Sequence, residues 1–312
     1  MMKVCMIGLG SIGGRHLKNL KHILSQRGIE VKTDALRSSA RELSGDISGQ
    51  LSETYYSVEE LPDDYDLIFV TNPTSVHFDT IRAVLKKTKH MFIEKPVFSD
   101  TDVDPSDLCL VKDSGYYVAC PLRYKTVLQK LKDIVSKESV FSVRAICSSY
   151  LPDWRKGIDY RTVYSARKEL GGGVVLDLIH EWDYLRWLFG DPLEITLMKG
   201  KVSDLEIDTE DLAVYLARYP DKLLELHLDY FGRKAQRAIE IYCRDHIITA
   251  DLINDRLIWS DKTGERIEQL EQNDFYLDDM NHFLDMVLLG VTNDNPIEWA
   301  YETLKIAKGD SM

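Results

Sequence analysis

Two patterns alternate along the first third of the chain: short apolar runs and longer stretches with helical spacing. Residues 3–7 form a mostly apolar run that reads as a buried strand, followed by a turn over 8–14 and a helical pattern over 15–25. Residues 31–36 read as a second strand. Ser57 and Glu60 have capping-box spacing, which predicts a short helix starting there. An apolar strand over 67–70 stops at Thr71-Asn72-Pro73; a helix over 77–85 and strands over 91–93 and 116–119 follow. Strands alternating with helices imply crossover connections and a parallel sheet.

The pattern changes after Pro121. A helix over 124–135 leads into a long strand over 140–150, a polar, aromatic-rich loop to Lys168, and a glycine-flanked helix over 174–189. Residues 193–270 are mostly strand-like, with turn residues at Pro220-Asp221 and Asn254-Asp255, and helices over 275–289 and 297–308 close the chain. The switch from βα alternation to a run of strands predicts two domains, 1–120 and 121–312.

Composition narrows the partners. With 39 Lys and Arg against 51 Asp and Glu the formal charge is −12, which argues against sequence-independent nucleic-acid binding and against adsorption to an anionic membrane. No apolar run approaches the roughly 20 residues that span a bilayer, and the N-terminus runs straight into a glycine-rich turn, so no cleaved signal peptide is expected. Cys5, Cys109, Cys120, Cys147 and Cys243 are scattered without a Cys-x-x-Cys pair, so buried reduced thiols in a cytoplasmic protein are expected. His16, His22, His227, His246 and His282 show no metal-ligand spacing, and no metal is assigned.

The turn after the first strand reads Gly8-x-Gly10-x-x-Gly13. Placed between strand and helix, it is the pattern of a dinucleotide cradle. Gly8 permits the tight turn, Gly10 lets the backbone approach a pyrophosphate, and Gly13 lets helix and strand pack closely. The helix N-terminus then offers N–H groups and partial positive charge to phosphates. The second strand ends Thr33-Asp34-Ala35-Leu36 before Arg37-Ser38-Ser39. Alternation puts Arg37 at the tip, where a guanidinium suits a 2′-phosphate, so NADP is favoured over NAD. Asp34 is the rival, on a ribose 2′-hydroxyl, if the strand ends earlier. Farther on, His90-Met91-Phe92-Ile93-Glu94-Lys95-Pro96 places Lys95 at the carboxyl end of a buried strand, on the edge where open α/β sheets bind ligands. A lysine there can polarise a substrate oxygen or exchange a proton with it. Pro96 is expected to fix a turn, for which a cis bond is one route.

Taken in order, Gly8-Leu9-Gly10-Ser11-Ile12-Gly13, Thr71-Asn72-Pro73 to His77, Glu94-Lys95-Pro96, Arg123-Tyr124, Gly171-Gly172-Gly173 and Asp279-x-x-His282-Phe283-x-Asp285 span nearly the whole chain. In them the chain resembles the Gfo/Idh/MocA family of NAD(P)-dependent oxidoreductases. The resemblance implies a Rossmann doubly wound parallel sheet, followed by an α+β domain whose large, open, mainly antiparallel sheet binds substrate and supports a homodimer or homotetramer. It implies that Lys95 is catalytic and that Glu94 and Pro96 shape the nicotinamide pocket. It extends cofactor contact to Ser11, Ile12, Ser38, Thr71, Asn72, Pro73 and His77. Family substrates are sugars, inositols, sugar acids and nucleotide-linked sugars.

The family's Asp-x-x-x-His pair appears here with shortened spacing, as Asp177 and His180. Three residues still place both on one helix face, with Tyr184 four further along it, and the neighbouring positions are overwhelmingly apolar. His180 is expected to be catalytic with Asp177, and either Asp177 or Asp183 orients it. Arg123, Trp154, Arg155, Tyr160, Arg161 and Tyr184 are the remaining expected substrate contacts, the two loop arginines suiting a carboxylate or phosphate. The run Leu85-Lys86-Lys87-Thr88-Lys89 reads as a solvated helix end. The expected activity is hydride transfer between the nicotinamide and a carbon of a sugar-like substrate. Its rivals are a non-redox enzyme using bound NAD transiently and a non-catalytic sensor.

Overall fold

The computed structural model describes residues 1–40, 42–111 and 114–310. These form two compact units, one of Met1–Ala119 with Tyr276–Glu302, the other of Cys120–Phe275 with the chain end from Thr303.

In the first unit the elements run β1 (Met2–Ile7), α1 (Ser11–Gln26), β2 (Val31–Leu36), α2 (Gly45–Ser48), β3 (Thr54–Tyr55), β4 (Tyr65–Val70), α3 (His77–Val84), β5 (Thr88–Ile93) and β6 (Gly115–Val118). The capping box at Ser57 and Glu60 opens a single 3₁₀ turn, Val58–Glu60. The strands pair in the order β3-β2-β1-β4-β5-β6 and every pairing is parallel. Strand order reverses between β1 and β4, so the turns that follow these two strands meet at the switch point where such sheets bind ligands. Val4, Cys5, Met6 and Leu67 to Val70 are fully or almost fully buried, as continuous apolar strands covered on both faces must be. The return of Tyr276–Glu302 to this unit has a packing reason. Phe283 stands edge-on to Phe69 and Phe92 and stacks on Tyr117, whose hydroxyl donates to buried Asp279. Arg27 pairs with Asp285 and Asn281. Burying these rings outweighs their distance along the chain.

The second unit contains α4 (Thr126–Val135), β7 (Val140–Tyr150), α5 (Val174–Asp177), α6 (His180–Phe189) and strands β8 (Glu194–Gly200), β9 (Leu212–Arg218), β10 (Leu223–Asp229), β11 (Phe231–Cys243), β12 (Ile247–Asp251), β13 (Arg256–Asp261) and β14 (Gly264–Gln269). Helices α7 (Phe275–Leu289) and α8 (Ile297–Lys308) complete the chain. The eight strands pair as β14-β13-β12-β11-β7-β10-β9-β8, antiparallel except for β7 with β10. Alternation sets the two faces. Val143, Ala145, Tyr215, Leu226 and Ile241 are buried, while Met198, Leu216, Leu223 and Ile267 stand on the opposite face and are exposed. Trp182 of α6 packs edge-on to Tyr215 against the buried face.

The expected single helix over 174–189 is two helices. Leu178 and Ile179 form a turn between α5 and α6, so Asp177 closes one helix and His180 opens the next. The shared-face spacing expected of Asp177 with His180 and Tyr184 therefore does not apply, while His180 and Tyr184 keep their i,i+4 relation within α6.

Candidate active site

The glycine turn is built by close approach. Gly8 has φ +90°, and a side chain there would put its Cβ 2.6 Å from the Asn72 nitrogen. A Cβ on Gly13 would lie 2.6 Å from the Thr71 hydroxyl and closer still to the Gly8 carbonyl. The Thr71 hydroxyl bonds to the Gly8 and Ile7 carbonyls, fastening the β4 turn to the β1 turn. Gly10 is the N-cap of α1 and offers no side-chain cap, and a Cβ there meets no protein atom within 4 Å. That side is open for a phosphate to reach the first-turn N–H groups.

A cleft of about 490 Å³ runs from Gly8 and Leu9 past Asn72 and Pro73 to Arg37, Ser38, Ser39 and Tyr56. Strand β2 ends at Leu36, and half-buried Arg37 lies at its tip in this cleft. Asp34 is 3% exposed and accepts the Tyr65 hydroxyl at 3.0 Å. It is not among the residues that line the cleft. Glu59 and Thr80, which the sequence reading passed over, line the cleft as well. Its own backbone N–H and then the Ser57 side chain hold the Glu59 carboxyl below its ordinary range.

Lys95 follows β5, half-buried, and its peptide bond to Pro96 is cis. Its N–H donates to Glu94 Oε2 at 3.1 Å, while Glu94 Oε1 faces buried His16 Nε2 at 2.5 Å. Burial alone would raise the Glu94 carboxyl; the His16 bond and nearby positive charge hold it below its usual range. His16 therefore belongs to the site, a role its place in α1 did not disclose. His77 needs correcting as a cofactor contact. It is 1% exposed, with Nε2 facing the Asn72 carbonyl at 2.9 Å and Nδ1 facing the Pro96 carbonyl at 3.1 Å. It braces two turns, and burial pushes its pKa down.

In the second unit the Asp177 carboxylate accepts the hydroxyls of Tyr164 and Tyr230, the latter at 2.5 Å. Neither tyrosine was foreseen; each lies far from Asp177 in sequence. His180 is half-buried at the start of α6. Trp154 packs edge-on to Tyr230 and donates its indole N–H to Ser149 at 2.9 Å, so Trp154 and Asp177 share Tyr230. Arg155 is exposed beside them and lines a small depression with Trp154 and Tyr160.

Other expected contacts are engaged elsewhere. Arg123 is 1% exposed and forms a two-pronged ion pair with Asp183, at 2.5 and 2.9 Å. That pairing also accounts for Asp183, whereas Asp177 is held by Tyr164 of the 151–168 loop and by Tyr230, against which Trp154 packs. Tyr184 is fully buried and donates to Glu181, which Arg237 also grips. Arg161 is held by Asp159 and Glu206. The expectation that no histidine joins a ligand grouping also changes, since His246 lies with Cys243 and Glu138, away from this loop.

Comparison with known proteins agrees with this arrangement. The Gfo/Idh/MocA oxidoreductase pattern, an NAD-binding Rossmann fold, matches residues 2–106, and the family's C-terminal domain matches residues 128–249. The chain is 27% identical to myo-inositol 2-dehydrogenase of Thermotoga maritima over 311 residues, 93% of this chain and 89% of that protein. An Agrobacterium radiobacter oxidoreductase solved with NAD+, L-tartaric acid and magnesium superposes with a TM-score of 0.83 at 17% identity, over 99% of this chain and 95% of that one. The UDP-N-acetylglucosamine 3-dehydrogenase of Acidithiobacillus ferrooxidans gives 0.78 at 18%, over 99% and 96%. The two structures speak for the fold, and the two sequence matches for the lineage. The chain belongs to the Gfo/Idh/MocA family of NAD-binding oxidoreductases.

Proposed function

We propose that the protein uses NADP in preference to NAD and acts on a sugar, sugar acid or nucleotide-linked sugar. The observation that carries the reading is Lys95, at the carboxyl end of β5 with its N–H held by a Glu94 that His16 clamps. The nicotinamide, when bound, takes or gives the hydride. As an ammonium Lys95 polarises the substrate oxygen or donates a proton to it, as a free amine it accepts the hydroxyl proton, and the neutral His180 imidazole is the second group able to accept one. In oxidation one of them takes the hydroxyl proton, and in reduction it returns a proton to the alkoxide. Asp177, held by two tyrosine hydroxyls, is the carboxylate assigned to His180 in this reading. The preference for NADP rests on Arg37 in the cleft and on Asp34 being buried with its carboxylate on the Tyr65 hydroxyl.

The exposed apolar residues on the outer face of the eight-stranded sheet support a homodimer or homotetramer, measurable by sedimentation. Four buried thiols suit a reducing cytoplasm. The named relatives act on a cyclic polyol and a nucleotide-linked sugar, so the substrate panel should contain both classes, with NAD and NADP, followed by cofactor absorbance. Lys95→Ala is expected to lower turnover about 10²- to 10⁴-fold and leave cofactor affinity nearly intact. Undiminished turnover in that variant refutes the role of Lys95. Product formed with no net change in absorbance would replace this reading by the non-redox one.

A further inference from the structure

The second unit holds one cluster that the redox chemistry does not use. Cys243 is the last residue of β11, and His246 directly precedes β12. The Cys243 N–H donates to the His246 carbonyl at 2.9 Å, closing the turn through Arg244 and Asp245. Cys243 also pairs in register with Val140, the first residue of β7. Glu138 lies two positions before Val140, so strand pairing brings its carboxylate to the hairpin end. The thiol sulfur, an imidazole nitrogen and a carboxylate oxygen all lie within 4.8 Å of one another. His246 Nε2 and Glu138 Oε1 are 3.7 Å apart, too far for a hydrogen bond but close to the donor separation around a shared ion. Tetrahedral bonds of about 2.0–2.3 Å put donors about 3.4–3.7 Å apart, so shifts of about 1 Å complete the set.

We infer that Glu138, Cys243 and His246 form a binding site for one borderline-soft divalent cation of the zinc class, with water in the fourth position. A sulfur with a nitrogen and one carboxylate oxygen suits zinc and disfavours magnesium or calcium, which take oxygen donors. A thiolate and a carboxylate neutralise the ion's two charges, and Asp261 adds negative charge near His246. Cys243 is 8% exposed while the His246 and Glu138 side chains are 25% and 32% exposed. The site thus has a fixed inner donor and two outer donors that can close on an entering ion. It lies at the opposite end of β7 from Tyr150 and the substrate loop, about 33 Å away along an 11-residue strand. Its role is to staple the start of β7 to the β11–β12 hairpin.

The test uses the full-length protein after chelation and dialysis, titrated with zinc against a chromogenic chelator and, separately, with cobalt. One equivalent should bind with a dissociation constant of about 1 µM or tighter, raising the thermal midpoint. Bound cobalt should show tetrahedral ligand-field bands and a thiolate-to-metal charge-transfer band. Cys243→Ser should abolish the charge-transfer band, and His246→Gln and Glu138→Gln should each weaken binding at least about tenfold. If Cys243→Ser fails to fold, the two outer variants decide the matter. No bound equivalent at micromolar zinc, or binding that survives in His246→Gln and Glu138→Gln alike, overturns the site.

Discussion

Replacing Arg37 by alanine probes cofactor choice most directly. The backbone there is held on both sides: Leu36 pairs with Ile7 and Tyr55, and the Arg37 N–H donates to the Tyr55 carbonyl at 3.0 Å. The substitution should therefore remove a guanidinium without moving the strand tip. A hydrogen bond to a charged group contributes about 1.5–3 kcal/mol. Arg37 is only half-buried, so water and salt screen the contact, and the lower part of that range applies. About 1.5–2 kcal/mol corresponds to about a 10- to 30-fold loss at about 1.4 kcal/mol per factor of ten. The assay is kcat/KM for NADP and for NAD at low and moderate salt. The NADP value should fall by that factor, less steeply at the higher salt, while the NAD value stays within about twofold. Asp34→Asn, whose side chain faces Tyr65 rather than the cleft, should leave the ratio unchanged. A wild-type enzyme that prefers NAD, or an equal loss with both cofactors, refutes the reasoning.

Gly10→Ala and Gly13→Ala should separate binding from folding. The first adds a methyl that meets no protein atom within 4 Å, so its melting point should hold while dinucleotide affinity falls. The second drives a methyl against Thr71 and Gly8 and should cost about 1–3 kcal/mol of stability, read by urea unfolding. Glu181→Ala strands Arg237 against a fully buried helix position and should destabilise by about 3–5 kcal/mol, seen in the same unfolding curves. His282 Nε2 lies 3.1 Å from Asp294 Oδ1, and this carboxylate raises the pKa of His282 in the folded state, although burial opposes it. Its stabilisation is therefore fully present below about pH 6.5 and fades as pH rises through the folded value. His282→Gln should flatten the pH dependence of the urea midpoint in that window, and an unchanged slope would discount the pair.

The parallel sheet and its turns were legible because each rests on local chemistry. Residues 31–36 run from Val31 to Leu36 and end before the polar Arg37-Ser38-Ser39, and β2 has those bounds. Val140–Tyr150 is likewise a strand over its whole expected length. The two-residue β3 and four-residue α2 carry too few positions to show a period. The helix over 174–189 looked continuous because no Gly or Pro interrupts it, and the turn falls at two apolar residues, Leu178 and Ile179. Tyr184 looked like a site residue because polar groups among apolar ones need a cavity or a partner, and Arg123 because it belongs to a motif that the resemblance covers. Tertiary packing supplied partners, Asp183 and Glu181.

Sequence by itself determined the glycine turn, the position of Lys95 at a strand end and the placing of Arg37 at the tip of β2. These depend on residues within one turn of one another, where backbone sterics and alternation decide the outcome. Only the tertiary structure decided what each polar group faces. It joined His16 to Glu94, two tyrosines to Asp177, and Cys243 and His246 to Glu138. It also returned Tyr276–Glu302 to the first unit. Partners of this kind are set by strand register and ring burial across long stretches of chain, and no local spacing records them.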